Sequence, residues 1–140
     1  MRVHEGMSTI VLSIGPDHSL RAAAKLMAKR KVGAAVVVDP QGEGPGIVTE
    51  RDVLESIAAG QNPDDERVVE HLTAHVVYAA PSWSLEEAAA AMVGGGFRHL
   101  IVVDGADVCG LLSMRDIVRC WTADGSICDV PESARFAKAS

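Results

Sequence analysis

Apolar residues along this chain recur with two periods, one of strands and one of helices, and the pattern is written twice. A β-branched run, Ile10-Val11-Leu12-Ser13-Ile14, ends at Gly15-Pro16 and predicts a strand. Leu20, Ala23, Ala24 and Met27 then fall at i, i+3, i+4 and i+7, one apolar stripe of a helix, with Ser19 placed to cap it. The apolar run Ala34 to Val38 predicts a buried strand, closed by the turn Asp39-Pro40-Gln41-Gly42. Gly46-Ile47-Val48 predicts a brief third strand, leading to a second helix that starts near Thr49 and stops at Gly60.

Shifting the chain by 65 residues lays Pro16 on Pro81, Ser19-Leu20 on Ser84-Leu85, Met27 on Met92 and Val37-Val38-Asp39 on Val102-Val103-Asp104. Beyond Asp39 the shift becomes 64, and Gly46, Arg51 and Asp52 meet Gly110, Arg115 and Asp116. So many identities in so short a unit mark a tandem duplication. In the second copy Ser84-Leu85-Glu86-Glu87 forms a capping box, Gly94-Gly95-Gly96 stops the helix, and Ser113 starts the last one. Each unit reads β-α-β-β-α. A unit of about 60 residues buries too little apolar surface to be stable alone, so the expected fold is α+β, two units packed about a pseudo-two-fold axis. Residues 1–62 form the first repeat, residues 63–122 the second, and 123–140 a polar tail expected to be mobile or to dock on a partner chain.

Charge and composition narrow the function. With 13 Lys+Arg against 19 Asp+Glu the net charge is −6, which disfavours nonspecific nucleic-acid binding. No apolar run approaches the ~18 residues of a membrane span, and the first residues lack the apolar middle of a signal peptide. Cys109, Cys120 and Cys128 contain no C-x-x-C pair and read as reduced thiols of a cytoplasmic protein.

Several segments carry the pattern of a known family. Gly46-Ile47-Val48-Thr49-Glu50-Arg51-Asp52, Gly110-Leu111-Leu112-Ser113-Met114-Arg115-Asp116 and Gly96-Phe97-Arg98-His99-Leu100-Ile101-Val102-Val103-Asp104 resemble the cystathionine-β-synthase (CBS) domain, with Met7-Ser8 and Leu72-Thr73 as lead-ins. A tandem pair of such domains is a Bateman module, and the resemblance, from residue 3 to about 121, leaves no room for a catalytic domain. It implies a free-standing, non-enzymatic regulatory module that needs no cofactor, senses an adenine-containing ligand (AMP, ADP, ATP or S-adenosylmethionine), pairs as a homodimer and acts on an unidentified protein target.

The residues supply a rationale of their own. A helix N-terminus welcomes phosphate through its unpaired N–H groups and dipole, and Thr49 or Ser113 adds a hydroxyl there. One turn on, the carboxylate of Asp52 or Asp116 can accept from a ribose diol, while Arg51 and Arg115 offer charge to phosphate. The apolar strands, Ala35 among their residues, would sandwich the adenine. The same [Ser/Thr]-x-x-Asp spacing is also a capping box, in which both side chains serve only the helix; the alternative is thus a ligand-free dimerisation scaffold. The resemblance places Ser13 and Tyr78 beside the pocket: Ser13 fits, whereas Tyr78 departs from the small residue expected and either stacks on a base or plugs the cleft. Arg98 and His99 have no polar counterpart at Gly33 and Ala34, so one nucleotide per chain is expected. His71 and His75 have zinc-compatible spacing but no third ligand, and Lys25, Lys29, Arg30 and Lys31 read as a solvated helix face.

Overall fold

Polar caps set the helix starts. In the computed structural model, which describes residues 1–42, 44–73 and 76–123, the elements run α1 (Val3–Gly6), β1 (Ser13–Ile14), α2 (Leu20–Arg30), β2 (Ala34–Val37), β3 (Gly46–Thr49), α3 (Glu50–Ala58), a 3-10 turn (Val68–His71), β4 (Tyr78–Ala79), α4 (Leu85–Gly95), β5 (His99–Asp104), β6 (Asp107–Ser113) and α5 (Met114–Ala123). The expected polar tail, His75 and Cys128 lie outside the described residues. Ser19 Oγ accepts from the Ala22 N–H at 3.0 Å, and Ser84 and Glu87 close a capping box. Gly96, in the left-handed region at φ 72°, ends α4 as expected, whereas Lys31 ends α2 in the same conformation at φ 56° without glycine's freedom. The first predicted strand pairs only at Ser13–Ile14, because β1 is an edge strand bonded to β2 through the carbonyls of Leu12 and Ile14.

Each repeat builds a three-stranded sheet, β1-β2-β3 and β4-β5-β6, with its first pair parallel and its second antiparallel. Strand alternation then divides the apolar residues among three cores. Ala35, Val37 and Val48 face helices of the first repeat; Leu100, Val102 and Leu112 face those of the second. The residues between them, Ala34, Val36 and Ile47 from one sheet and Ile101 from the other, pack together, with Val103 and Leu111 at their margin. Sheet thus packs on sheet, the arrangement expected from the duplication, and β2 and β5 are continuous apolar runs because both their faces are covered.

The lead-in segments are exchanged. The Val3 N–H donates to Trp83 O at 2.7 Å and Val3 is buried in the core of the second repeat; the Val68 N–H donates to His18 O at 2.8 Å and Val68 is buried in that of the first. Ser8 bridges to Leu111 and the Thr73 N–H donates to Ile47 O at 2.9 Å, so each lead-in runs along the other repeat's third strand. This explains the glycine that opens each of those motifs. A Cβ at Gly46 would lie 2.9 Å from Leu72 Cδ1, and one at Gly110 would lie 2.5 Å from Met7 Sδ and 2.9 Å from the Ser8 carbonyl.

Two glycine substitutions should therefore act in opposite directions in urea unfolding. Gly110→Ala forces the lead-in off β6 and should destabilise by about 1–3 kcal/mol. Gly94→Ala, on an exposed turn of α4 with nothing within 4 Å of the new methyl, should stabilise by about 0.5–1 kcal/mol. Equal effects would refute the close approach at Gly110.

Candidate functional site

Two clefts open where the sheets meet, related by the same residue shift as the repeats. The first is lined by Thr49, Arg51 and Asp52 at the start of α3, by Thr73 of the lead-in, and by Phe97, Arg98 and His99 before and on β5. The second is lined by Ser113, Arg115 and Asp116 at the start of α5, by Ser8, and by Val32, Gly33 and Ala34 before and on β2. Each cleft therefore draws on both repeats. Their sizes differ greatly, about 110 Å³ against about 680 Å³. The side chains account for the contrast: Phe97, Arg98 and His99 occupy the first cleft where Val32, Gly33 and Ala34 leave the second open.

Both boxes are closed onto their own helices. The Thr49 N–H and hydroxyl donate to Asp52 Oδ2 at 2.8 and 3.1 Å, and the Asp52 N–H donates to Thr49 Oγ1 at 3.4 Å. A third donor reaches the same Oδ2: the Thr73 hydroxyl, at 2.8 Å. In the second cleft the Ser113 N–H donates to Asp116 Oδ2 at 2.9 Å, the Asp116 N–H donates to Ser113 Oγ at 3.0 Å, and Arg119 bonds Asp116 Oδ1 at 3.1 Å. The capping geometry is present in both copies, and the first cleft is the smaller of the two.

The structure brings Thr49, Arg51 and Asp52 together in one cleft and Ser113, Arg115 and Asp116 in the other, with His99 on the wall of both. Three expected residues stand elsewhere. Ala35 is fully buried among the residues facing α2, because strand alternation turns its neighbour Ala34 towards the second cleft instead. Ser13 is exposed on its short edge strand and lines neither cleft. Tyr78 plugs neither: it is 40% exposed, and its hydroxyl donates to Pro45 O at 2.6 Å, tying β4 to the turn between β2 and β3.

Five cleft residues escaped the sequence reading. Thr73 and Ser8 occupy equivalent lead-in positions, and a hydroxyl at both was the available signal. Lys31, read as part of a solvated face, lines the second cleft from a left-handed backbone, as do Glu50 and Arg119 from α3 and α5. Among the described residues no cluster of three His, Cys, Asp or Glu is arranged to hold a metal, and no helix is long and apolar enough to cross a membrane.

Burial holds the His99 imidazole below its usual value near 6.5, Arg98 adds to the depression, and Glu50 and Asp116 pull the other way. The folded state resists a proton that the unfolded chain accepts. Stability from this group is full above the unfolded value and declines as pH falls from there towards the folded value. Between pH 8 and pH 5, urea unfolding should therefore show a larger loss for the wild type than for His99→Gln; equal losses would contradict a depressed His99.

Comparison with known proteins agrees with this geometry. The CBS domain family model matches residues 3–59 and 68–122. CBS domain-containing protein YhcV of Bacillus subtilis is 31% identical over 115 residues, spanning 82% of this chain and 81% of the relative. The structure resembles the hexameric CBS-CP12 protein from bloom-forming cyanobacteria (TM-score 0.78, 30% identity, 85% of this chain and 71% of that one). It also shares its fold with a CBS domain protein from Pyrobaculum aerophilum complexed with AMP (TM-score 0.75, 24% identity, 88% of this chain and 99% of that one). Two exchanged repeats, two quasi-equivalent clefts and a twofold family match lead to one assignment: the chain belongs to the CBS domain family, as a tandem CBS pair.

Proposed function

We propose that this CBS pair is a non-catalytic regulatory module that binds one adenine-containing nucleotide per chain in the second cleft and passes its occupancy to a protein partner. The observation that carries the reading is the second cleft itself, about 680 Å³ in volume and opening on the start of α5. Small-molecule sites generally fall between roughly 300 and 1,000 Å³. Cations stand around it at Lys31, Arg115 and Arg119, beside N–H groups that favour phosphate. Apolar walls for a base come from Val11, Leu12, Met27 and Leu111. An ionised carboxylate has about four acceptor positions, and Asp116 uses two, so a ribose diol can bond it without opening the capping box. The AMP held by the Pyrobaculum aerophilum protein, on the same fold, supports the ligand class. Binding changes a partner's docking to the extent that the ligand prefers one conformation of the module over another.

A second reading, the ligand-free scaffold, draws support from the closed capping boxes. Thermal unfolding separates the two. AMP, ADP, ATP or S-adenosylmethionine at about 100 times its Kd should stabilise the native state by about 2.7 kcal/mol and raise Tm. Asp116→Ala should abolish that rise and Asp52→Ala should retain it. A Tm indifferent to all four compounds would favour the scaffold.

Self-association with a second copy is part of the same proposal. The repeat-equivalent Leu54 and Val118 leave α3 and α5 66% and 46% exposed, and Ile57 extends the first of these apolar faces. Light scattering should give the mass of a dimer, and Leu54→Glu with Val118→Glu should reduce it to that of a monomer. A monomeric wild type at tens of micromolar would contradict this part.

A further inference from the structure

Both repeats end their first long helix with the same turn, yet they place different residues in it. The Val32 N–H donates to Met27 O at 3.0 Å, and its repeat equivalent, the Phe97 N–H, donates to Met92 O at 3.1 Å. The residue that follows each helix is left-handed, at φ 56° and ψ 42° for Lys31 and at φ 72° and ψ 28° for Gly96. Glycine accepts that backbone freely, and a residue with a side chain does not. Lys31 is the one non-glycine residue with positive φ among the described residues. The helix does not call for a cation there, because Lys29 and Arg30 already stand in the last turn of α2, where positive charge suits the dipole. Of the basic residues in this segment, Lys31 is the one that lines the second cleft, whereas Gly96 lines the first. Backbone strain retained beside a cleft points to a use for the side chain in it.

The charges around that cleft say what the use is. At the start of α5 the N–H groups of Ser113, Met114 and Asp116 are already donated, to Asp116 Oδ2, Arg98 O and Ser113 Oγ. A phosphate there depends on side chains for most of its bonds. Arg119 is paired with Asp116 at 3.1 Å, whereas Lys31 and Arg115 make no ion pair among the described residues. The other carboxylate of the cleft, Glu50, lies against Gly33, with an oxygen 3.2 Å from where a Cβ would stand. Each repeat thus brings one unpaired cation to the same cleft, Lys31 from the end of α2 and Arg115 from the start of α5. We infer that Lys31 binds phosphate in the second cleft and sets its specificity, selecting phosphorylated adenine nucleotides over S-adenosylmethionine, which carries a sulfonium cation and no phosphate. The inference rests on the nucleotide reading of this cleft and narrows it to one class of ligand.

Isothermal titration with AMP, ATP and S-adenosylmethionine, each alone, tests this. The wild type should bind the two phosphorylated compounds more tightly than the sulfonium. Lys31→Met keeps an unbranched stem and removes the charge. It should weaken AMP and ATP by about ten- to a hundredfold while leaving S-adenosylmethionine unchanged or tighter. Lys31→Arg keeps the charge and should retain most of the affinity for AMP and ATP. Lys31→Gly takes the residue found at the equivalent position; it should raise the Tm of the unligated protein and weaken AMP as Lys31→Met does. A lysine that served the fold alone would give the reverse, a lowered Tm with AMP affinity intact, and that result would overturn the inference. So would a Lys31→Met protein that binds AMP and ATP as the wild type does, one that loses all three compounds equally, or a wild type that prefers S-adenosylmethionine. In those cases a nucleotide-binding cleft still stands. If the wild type binds none of the three, the nucleotide reading itself fails, and the role of Lys31 with it.

Discussion

The two sheets of this protein are each buried on both faces, and strand alternation must satisfy helices on one side and the opposite sheet on the other. Ala34, Val36, Ile47 and Ile101 form the layer between the sheets, while their neighbours Ala35, Val37, Val48, Leu100 and Val102 serve the helical cores. A one-residue slip in β2 or β5 would exchange the two sets and turn each strand's inter-sheet residues towards the helices. The clefts depend on this layer. They lie at its margins, where Ile47 and Ile101 form part of one wall and Ala34 and Leu111 part of the other. The exchanged lead-ins add a second constraint: because Val3 and Val68 are each buried in the core of the other repeat, neither half completes its hydrophobic packing alone.

Duplication yields two clefts from one plan, and substitution makes them unequal. At three consecutive positions the first cleft carries Phe97, Arg98 and His99, where the second has Val32, Gly33 and Ala34. Phe97 has a cost in the chain before it: a Cβ at Gly95 would lie 1.9 Å from its ring, which makes glycine necessary there. Lys31 shows the reverse choice. It keeps a side chain at a left-handed helix end where its repeat equivalent is Gly96, and that side chain lines the larger cleft. His99 stands on the wall of both clefts, near Arg98 of the first and Glu50 and Asp116 of the second.

Much of this was legible because its causes are local. Ser19, Thr49 and Ser84 cap their helices as their spacing predicts, Gly96 ends α4, and the repeat shift announces the two sheets. The candidate site was legible where it coincides with a helix start, at Thr49, Asp52, Ser113 and Asp116. It was misread where a strand's facing decides the outcome: Ala35 instead of Ala34 is an error of one residue, and one residue reverses the side of a strand. Tyr78 was misjudged because its partner, the Pro45 carbonyl, belongs to a turn in the other repeat. The exchange of lead-ins, and with it the Thr73–Asp52 bond, joins residues far apart in the chain, and no local pattern encodes such a pairing.

The central claim is that the second cleft binds an adenine nucleotide, and amide NMR during titration with AMP locates a ligand residue by residue. The account predicts saturable shifts concentrated at Gly33, Ala34 and Ser113 to Asp116, with Thr49 and Asp52 unmoved at the same concentration. A spectrum unchanged at millimolar AMP, or shifts centred on Thr49 and Asp52, would contradict it.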